Sequence, residues 1–152
     1  MLTAKRLREV LDYNQETGKF SRNGRPCGGD NGLGYVQMMI DGKMYHGHRL
    51  AWFFVHGEWP IDQIDHINGV RNDNRMSNLR EASQADNCGN VARHQDNKSG
   101  YKGVFQCRRK WQAQVCRAGV KRHLGTFETP EAAHAAYCDA AKQVFGEFAR
   151  IA

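Results

Sequence analysis

A chain of 152 residues with 40% hydrophobic and 25% charged side chains can hold one ordinary domain or two small ones, and is too apolar to be a disordered polymer. No apolar run approaches the roughly 18 residues needed to cross a membrane, and the opening octet interleaves charged with apolar residues, unlike a signal peptide. The formal charge is +6 and uneven: residues 1–100 carry 13 Lys/Arg against 12 Asp/Glu, residues 101–152 carry 9 against 4. A compact basic unit suits a polyanion, because each neutralised phosphate releases counterions; a plain solvated surface is the alternative.

The five cysteines (Cys27, Cys88, Cys107, Cys116 and Cys138) are odd in number and none are spaced C-x-x-C. This argues against a secreted disulfide framework and a four-cysteine zinc site, and for reduced thiols in a cytoplasmic compartment. Cys107 and Cys116 could still face each other across a hairpin.

In chain order, Thr3 caps a short helix with Leu7, Val10 and Leu11 on one face. A turn at 14–18 leads to a short extended run at 19–22, and the glycine-rich stretch 24–34 reads as loop. Residues 35–40 and 43–48 alternate around Asp41-Gly42, a strong hairpin signal because both residues can reach positive φ. The apolar run 49–56 predicts a buried helix stopped by Gly57. Strands are expected at 63–67 and 79–82, joined by a polar loop, with Ser83 capping a helix that runs through Asn87. Composition turns polar and aperiodic around 94–100, which places a domain boundary there: residues 1–95 and 96–152. Three strands follow at 102–107, 111–117 and 121–127. Thr129-Pro130-Glu131 then opens a helix whose stripe of Ala133, Ala136, Tyr137, Ala140, Ala141 and Val144 packs on the sheet, with Gly146 ending it.

Chemistry concentrates in the middle. Asp65-His66-Ile67-Asn68-Gly69, then Asn72, Asn74-Arg75, Asn78-Leu79 and Asn87, set a carboxylate beside an imidazole with carboxamides further on. Phosphodiester hydrolysis needs a base for water, a counter-charge for phosphate and stabilisation of the departing oxygen. Histidine can be the base, because its pKa lies near working pH. Asp and Asn oxygens suit a hard divalent cation. Singly, an Asp-His pair often only braces a turn, and Asn-rich loops often reflect left-handed backbone. His46 and His48, two apart on an expected strand, would share a face; packing, a metal pair or lining of the cleft are open for them.

The spaced motif resembles the HNH endonuclease family, in its phage and intron-homing branch, over roughly residues 10–95; His48-Arg-Leu-Ala-Trp52 and Gly57-Glu-Trp-Pro60 look like that branch too. The resemblance implies an α+β chain with a ββα-metal core: strand, long loop, strand and helix around one divalent cation. It implies that His66 is the general base, that Asp65 and Asn87 hold the metal, and that Asn78 hydrogen-bonds the histidine. The family's third position is Asn87 rather than His, which points to Mg²⁺ binding (Mn²⁺ as alternative) rather than a tight transition-metal site. Products would be 5′-phosphate and 3′-hydroxyl ends.

Residues 99–150 resemble the AP2 domain, through the Tyr101-Lys-Gly-Val104 opening, Leu124-Gly-Thr-Phe127 and the Ala-rich helix to Tyr137. That resemblance implies three antiparallel strands on one helix, with the sheet in the DNA major groove. Phe105, Cys107, Gln112, Gln114, Cys116, Lys121 and His123 would face outward, with Arg108, Arg109 and Lys110 at the adjoining turn. Plant AP2 members carry arginines and a tryptophan at several of these places, so their target preference does not transfer. The expected whole is a metal-dependent endonuclease acting on double-stranded DNA, monomer or homodimer, in a bacterial or phage-infected cytoplasm, with no membrane partner. The alternative is a non-catalytic DNA-binding regulator that keeps the nuclease scaffold.

Overall fold

The computed structural model describes residues 2–90 and 96–151, apart from the side chain of Cys88. It divides into two compact units, residues 1–82 and 83–152. The division lies ahead of the polar 94–100 stretch, so the helix bearing Asn87 is grouped with the second unit; residues 91–95 lie outside the described residues.

The first unit opens with helix α1 (Ala4–Val10), whose Thr3 hydroxyl accepts a hydrogen bond from Arg6 N at 3.2 Å. Strands β1 (Asp12–Asn14), β2 (Lys19–Arg22) and β3 (Arg25–Cys27) form one antiparallel sheet in that order. A second sheet joins β4 (Gly29–Asp30), β5 (Val36–Ile40) and β6 (Lys43–His46). β3 and β4 lie inside the stretch expected to be loop. They are held by backbone pairing to β2 and β5 and have no apolar alternation to announce them. The β5–β6 turn takes φ of 47° at Asp41 and 77° at Gly42, as the Asp-Gly pair requires.

Helix α2 (Gly47–His56) starts two residues earlier than the apolar run suggests, so His48 sits in its first turn and not on a strand. Gly57 closes it in a left-handed conformation. Leu50 and Ala51 of α2 join Leu7, Leu11, Phe20, Met38 and Ile40 in the core, which also receives Ile64 and Leu79. Those last two belong to a hairpin of β7 (Gln63–His66) and β8 (Leu79–Ala82), and they tie the hairpin to the rest of the unit. Among the described residues no helix is long and apolar enough to cross a membrane.

The second unit contains α3 (Gln84–Asn90) and an antiparallel sheet in which β10 (Lys110–Arg117) is flanked by β9 (Val104–Cys107) and β11 (Val120–Phe127). One face is covered by α4 (Pro130–Phe145), capped by the Thr129 hydroxyl. Val104, Ala113 and Val115 of the sheet meet Ala133, Tyr137, Ala140, Ala141 and Phe145. The expected helical stripe is thus the packed face, with Phe145 added at its end.

The register corrects one expectation. Cys107 stands opposite Lys110 and Cys116 opposite Lys121, so the two thiols do not face each other across the hairpin.

At Gly103, φ is +72° and a Cβ would overlap the Tyr137 ring while lying 2.8 Å from Gln114 O. Both strain and collision must then be absorbed. Gly103→Ala should destabilise the second unit by roughly 2–4 kcal/mol, read as a lowered urea midpoint. An unchanged midpoint would contradict this close approach of backbone to ring.

Candidate active site

The hairpin β7–β8 sets Asp65 opposite Arg80 and His66 opposite Leu79. Residues directly opposite share a face, so the carboxylate and the guanidinium meet. Arg80 donates from Nε (3.0 Å) and Nη2 (2.9 Å) to Asp65 Oδ2, and Asp65 is only 5% exposed. A charge this buried is tolerated because its partner is buried beside it; removing either partner would strand the other.

His66 is also 5% exposed. Its ring centroid lies 5.2 Å from that of His48, edge-on, and 6.0 Å from that of Tyr35. Burial, with a smaller contribution from Arg71, holds its pKa below the ordinary histidine value against the opposing effects of Asn74, Asp65 and Asp73. His66 is therefore neutral at physiological pH, the state a general base requires.

The polar connection from β7 to β8 is folded by its own side chains. Asn78 Oδ1 accepts from Asn68 N at 3.0 Å, and Asn78 Nδ2 donates to Asp73 O at 2.8 Å. Asn68 Nδ2 donates to Asp73 Oδ2 at 2.7 Å, while Arg75 Nε and Nη2 hold the same carboxylate at 2.8 and 2.6 Å. The Arg75 hydrogen bond is the main reason the Asp73 pKa falls to about 2.

Asn78 is thus committed to the loop backbone, contrary to the expectation that it would hold the histidine. The carboxamide at the imidazole is that of Asn74, with Oδ1 3.3 Å from His66 Nε2. The reason is reach: Asn78 ends a 3-10 turn (Met76–Asn78) that carries it to the loop's closure, and Asn74 sits at the loop's inner edge.

Arg71, Tyr35, His46, His48 and Gln37 complete the surroundings. Arg71 lies 5.0 Å above the Tyr35 ring and donates from Nη1 to Leu33 O at 2.9 Å. Tyr35 borders His46 and His48 at 5.7 and 5.5 Å between centroids, and the two histidine rings stack at 5.3 Å. Gln37 Nε2 lies 3.3 Å from His46 Nε2. His48 is 9% exposed, and its Nδ1 is sealed with no hydrogen-bond partner.

The pairing of His46 with His48 on one face survives the change of secondary structure, because the helix starts immediately after His46. The roles of Asn74, Tyr35, Arg71 and Arg80 were not assigned from sequence. For Asn74 the sequence offers only its place in the polar loop, where Asn68, Asn72, Asn74 and Asn78 are four carboxamides competing for one imidazole.

Among the described residues, no three His, Cys, Asp or Glu side chains converge into a metal cage. What the first unit offers is one buried carboxylate, Asp65, beside neutral imidazole. A carboxylate oxygen fits a hard cation in an open site, and the lack of thiolate donors there does not favour a soft one. Asn87 lies at the middle of α3, its N–H donating to Ser83 O at 2.9 Å. Ser83 caps that helix as expected, its hydroxyl accepting from Asp86 N at 3.2 Å.

In the second unit, cross-strand pairing puts Gln112 opposite Phe105 and Thr126, Gln114 opposite His123, and Cys116 opposite Lys121. This is the face away from Ala113 and Val115. The register shifts at Ala113/Gln114, and the extra residue in β11 is Leu124, which packs on the core. Without that bulge His123 and Lys121 would turn toward α4. Arg108 and Arg109 are exposed at the β9–β10 turn, and Lys110 Nζ pairs with Glu128 Oε1 at 2.5 Å.

Burial lowers the His48 pKa to about 3, with neighbouring His66, His46 and Arg49 adding to the shift. An unfolded histidine takes its proton near 6.5, which the folded chain refuses until about pH 3. Stability present at neutral pH should therefore fall as pH drops through that window, by about 1.4 kcal/mol per pH unit from this one group. Urea midpoints taken from pH 7 to pH 4 should fall less steeply in His48→Phe than in wild type. Equal slopes would show that His48 is protonated in the folded state.

Residues 45–88, from β6 into α3, match a family model described as HNH endonuclease. A protein of Acanthamoeba polyphaga mimivirus, described as an uncharacterized HNH endonuclease, is 30% identical over 117 residues, covering 76% of this chain and 61% of the relative. The chain thus spans under two thirds of that relative's length. No solved structure matches the chain significantly. The matched segment takes in Asp65, His66, Asn74 and Asn78 of the buried hairpin and its loop. The segment that carries the buried hairpin and its loop is therefore similar to the HNH endonuclease family.

Proposed function

We propose that the protein is a metal-dependent DNA endonuclease in which His66 activates water. The observation that carries this reading is a neutral, buried imidazole adjoining a buried carboxylate, within the segment that matches the HNH endonuclease family. His66 takes a proton from water as the oxygen attacks phosphorus, the bond to the 3′ oxygen breaks, and that oxygen takes a proton from a second water. The products carry 5′-phosphate and 3′-hydroxyl ends. A divalent cation, Mg²⁺ in this reading, would neutralise charge on the phosphate and on the departing oxygen. Asp65 and Asn87 are its proposed ligands, on the strength of the HNH resemblance and their oxygen chemistry. Arg80 orients the Asp65 carboxylate within a buried setting through its two hydrogen bonds to Oδ2.

The second unit is proposed to hold double-stranded DNA through the sheet face bearing Gln112, Gln114, Lys121 and His123, with Arg108, Arg109 and Lys110 at its edge. The support is a basic composition together with a polar sheet face directed away from the helix. This is the AP2-type division of labour, in which residues 1–95 cut and 96–152 position.

Supercoiled plasmid with Mg²⁺ should become relaxed or linear, and both EDTA and His66→Ala should abolish the product. A general base of this kind contributes typically about 10²–10⁴-fold, so His66→Ala should lose at least two orders of magnitude in rate. Protein that binds DNA but leaves plasmid intact with Mg²⁺ and Mn²⁺ across several sequences would instead favour the non-catalytic regulator.

Arg108→Ala with Arg109→Ala should weaken binding about equally for unrelated DNA sequences and lessen its salt dependence by about two phosphate contacts. A loss confined to one sequence would mean that these arginines read bases.

A further inference from the structure

We infer that Asn74 is the positioning residue for His66: its side-chain oxygen holds the proton on Nε2, so that the basic lone pair is on Nδ1. This rests on the endonuclease reading for its consequence in catalysis, though not for the contact itself. Oδ1 of a carboxamide only accepts hydrogen bonds, so its 3.3 Å approach to Nε2 is a hydrogen bond only in the form of the ring that carries a proton there. In the tautomer with its proton on Nε2, the ring lone pair is on Nδ1.

The surroundings are built to hold this carboxamide. Asn74 is 1% exposed. Its backbone oxygen accepts from the Tyr13 hydroxyl at 2.6 Å, across sixty-one residues of chain. A Cβ on Gly47, at the start of α2, would lie 3.0 Å from Asn74 Nδ2, so the absence of a side chain there makes room for the amide. The loop clamp of Asn78 and Asn68 on Asp73 fixes the residue immediately before it.

Folding alone does not ask for an asparagine here. Nδ2 is buried with no hydrogen-bond partner, an uncompensated donor that an apolar side chain of the same shape would remove. Leucine would fill the space and spare that cost. A residue that satisfies one distant imidazole while leaving its own donor unpaired is better explained by what it does to the imidazole.

The test uses the full chain, with long-range ¹⁵N–¹H spectra of the His66 ring assigned by their loss in His66→Gln. Wild type should show the proton on Nε2, slowed in exchange with water. In Asn74→Leu that proton should exchange fast and kcat on DNA should fall by about 10- to 100-fold, with KM and the urea midpoint not lowered. Asn74→Asp keeps an acceptor in the same place, and should retain the slowed proton and a kcat within about threefold of wild type. A wild-type ring protonated on Nδ1 would overturn the inference, as would an Asn74→Leu protein with wild-type kcat. If Asn74→Leu does not fold, the wild-type spectrum and Asn74→Asp still decide. Should the wild type cleave no DNA, the endonuclease reading fails, while the ring spectrum continues to test the contact.

Discussion

Two hydrogen bonds of the Asn78 carboxamide close the loop between β7 and β8, and the Tyr13 hydroxyl on Asn74 O ties it to the rest of the unit. Between β7 and β8 the chain runs through residues 67–78, where Ile67 and Val70 are exposed and Met76 packs against the core, so polar contacts do most of the shaping. Asn78 reaches Asn68 N and Asp73 O, and Asp73 in turn holds Asn68 and Arg75. Each such bond is worth only about 1 kcal/mol net. Together they convert a polar segment into a fixed frame, and the inner edge of that frame is Asn74. The position of the acceptor at His66 is thus a consequence of bonds made by its neighbours.

Burial then sets the electrostatics. Water is kept from His66 by Tyr35, His48 and the loop, which favours the neutral ring. The same exclusion would make Asp65 costly were Arg80 not beside it on the adjacent strand. One hairpin register therefore accounts for both a buried imidazole and a buried, Arg80-paired carboxylate one residue apart. Alternation matters here, because consecutive residues point to opposite faces. Asp65 turns to Arg80, and His66 turns toward Asn74 and His48.

Much of the framework is legible in the residues themselves. Thr3, Ser83 and Thr129 cap helices where short polar side chains precede helical runs. Asp41-Gly42 turns a hairpin because both positions adopt positive φ. Ala133, Tyr137, Ala140 and Ala141 bury one face of α4 because their spacing matches the helical period. β3 and β4 were not legible, since they are extended only by virtue of the strands they pair with. The start of α2 was missed for a related reason. Gly47 and His48 carry no helical signal, and the helix is nucleated by the apolar residues that follow them.

The sequence by itself determined which chemical groups are present and which short segments carry them: an Asp-His pair ending a strand, a carboxamide-rich loop after it, and a basic last third. Local spacing encodes period and turns, so these were readable without any partner. Tertiary structure alone decided which of several asparagines meets His66, that His48 leans on it from the first turn of a helix, and that Arg80 answers Asp65. It also set Cys107 and Cys116 apart and placed a bulge at Leu124 that keeps His123 and Lys121 on the outer face. Each of these depends on distances between residues separated along the chain, and such distances are fixed only when the core closes and the registers are chosen.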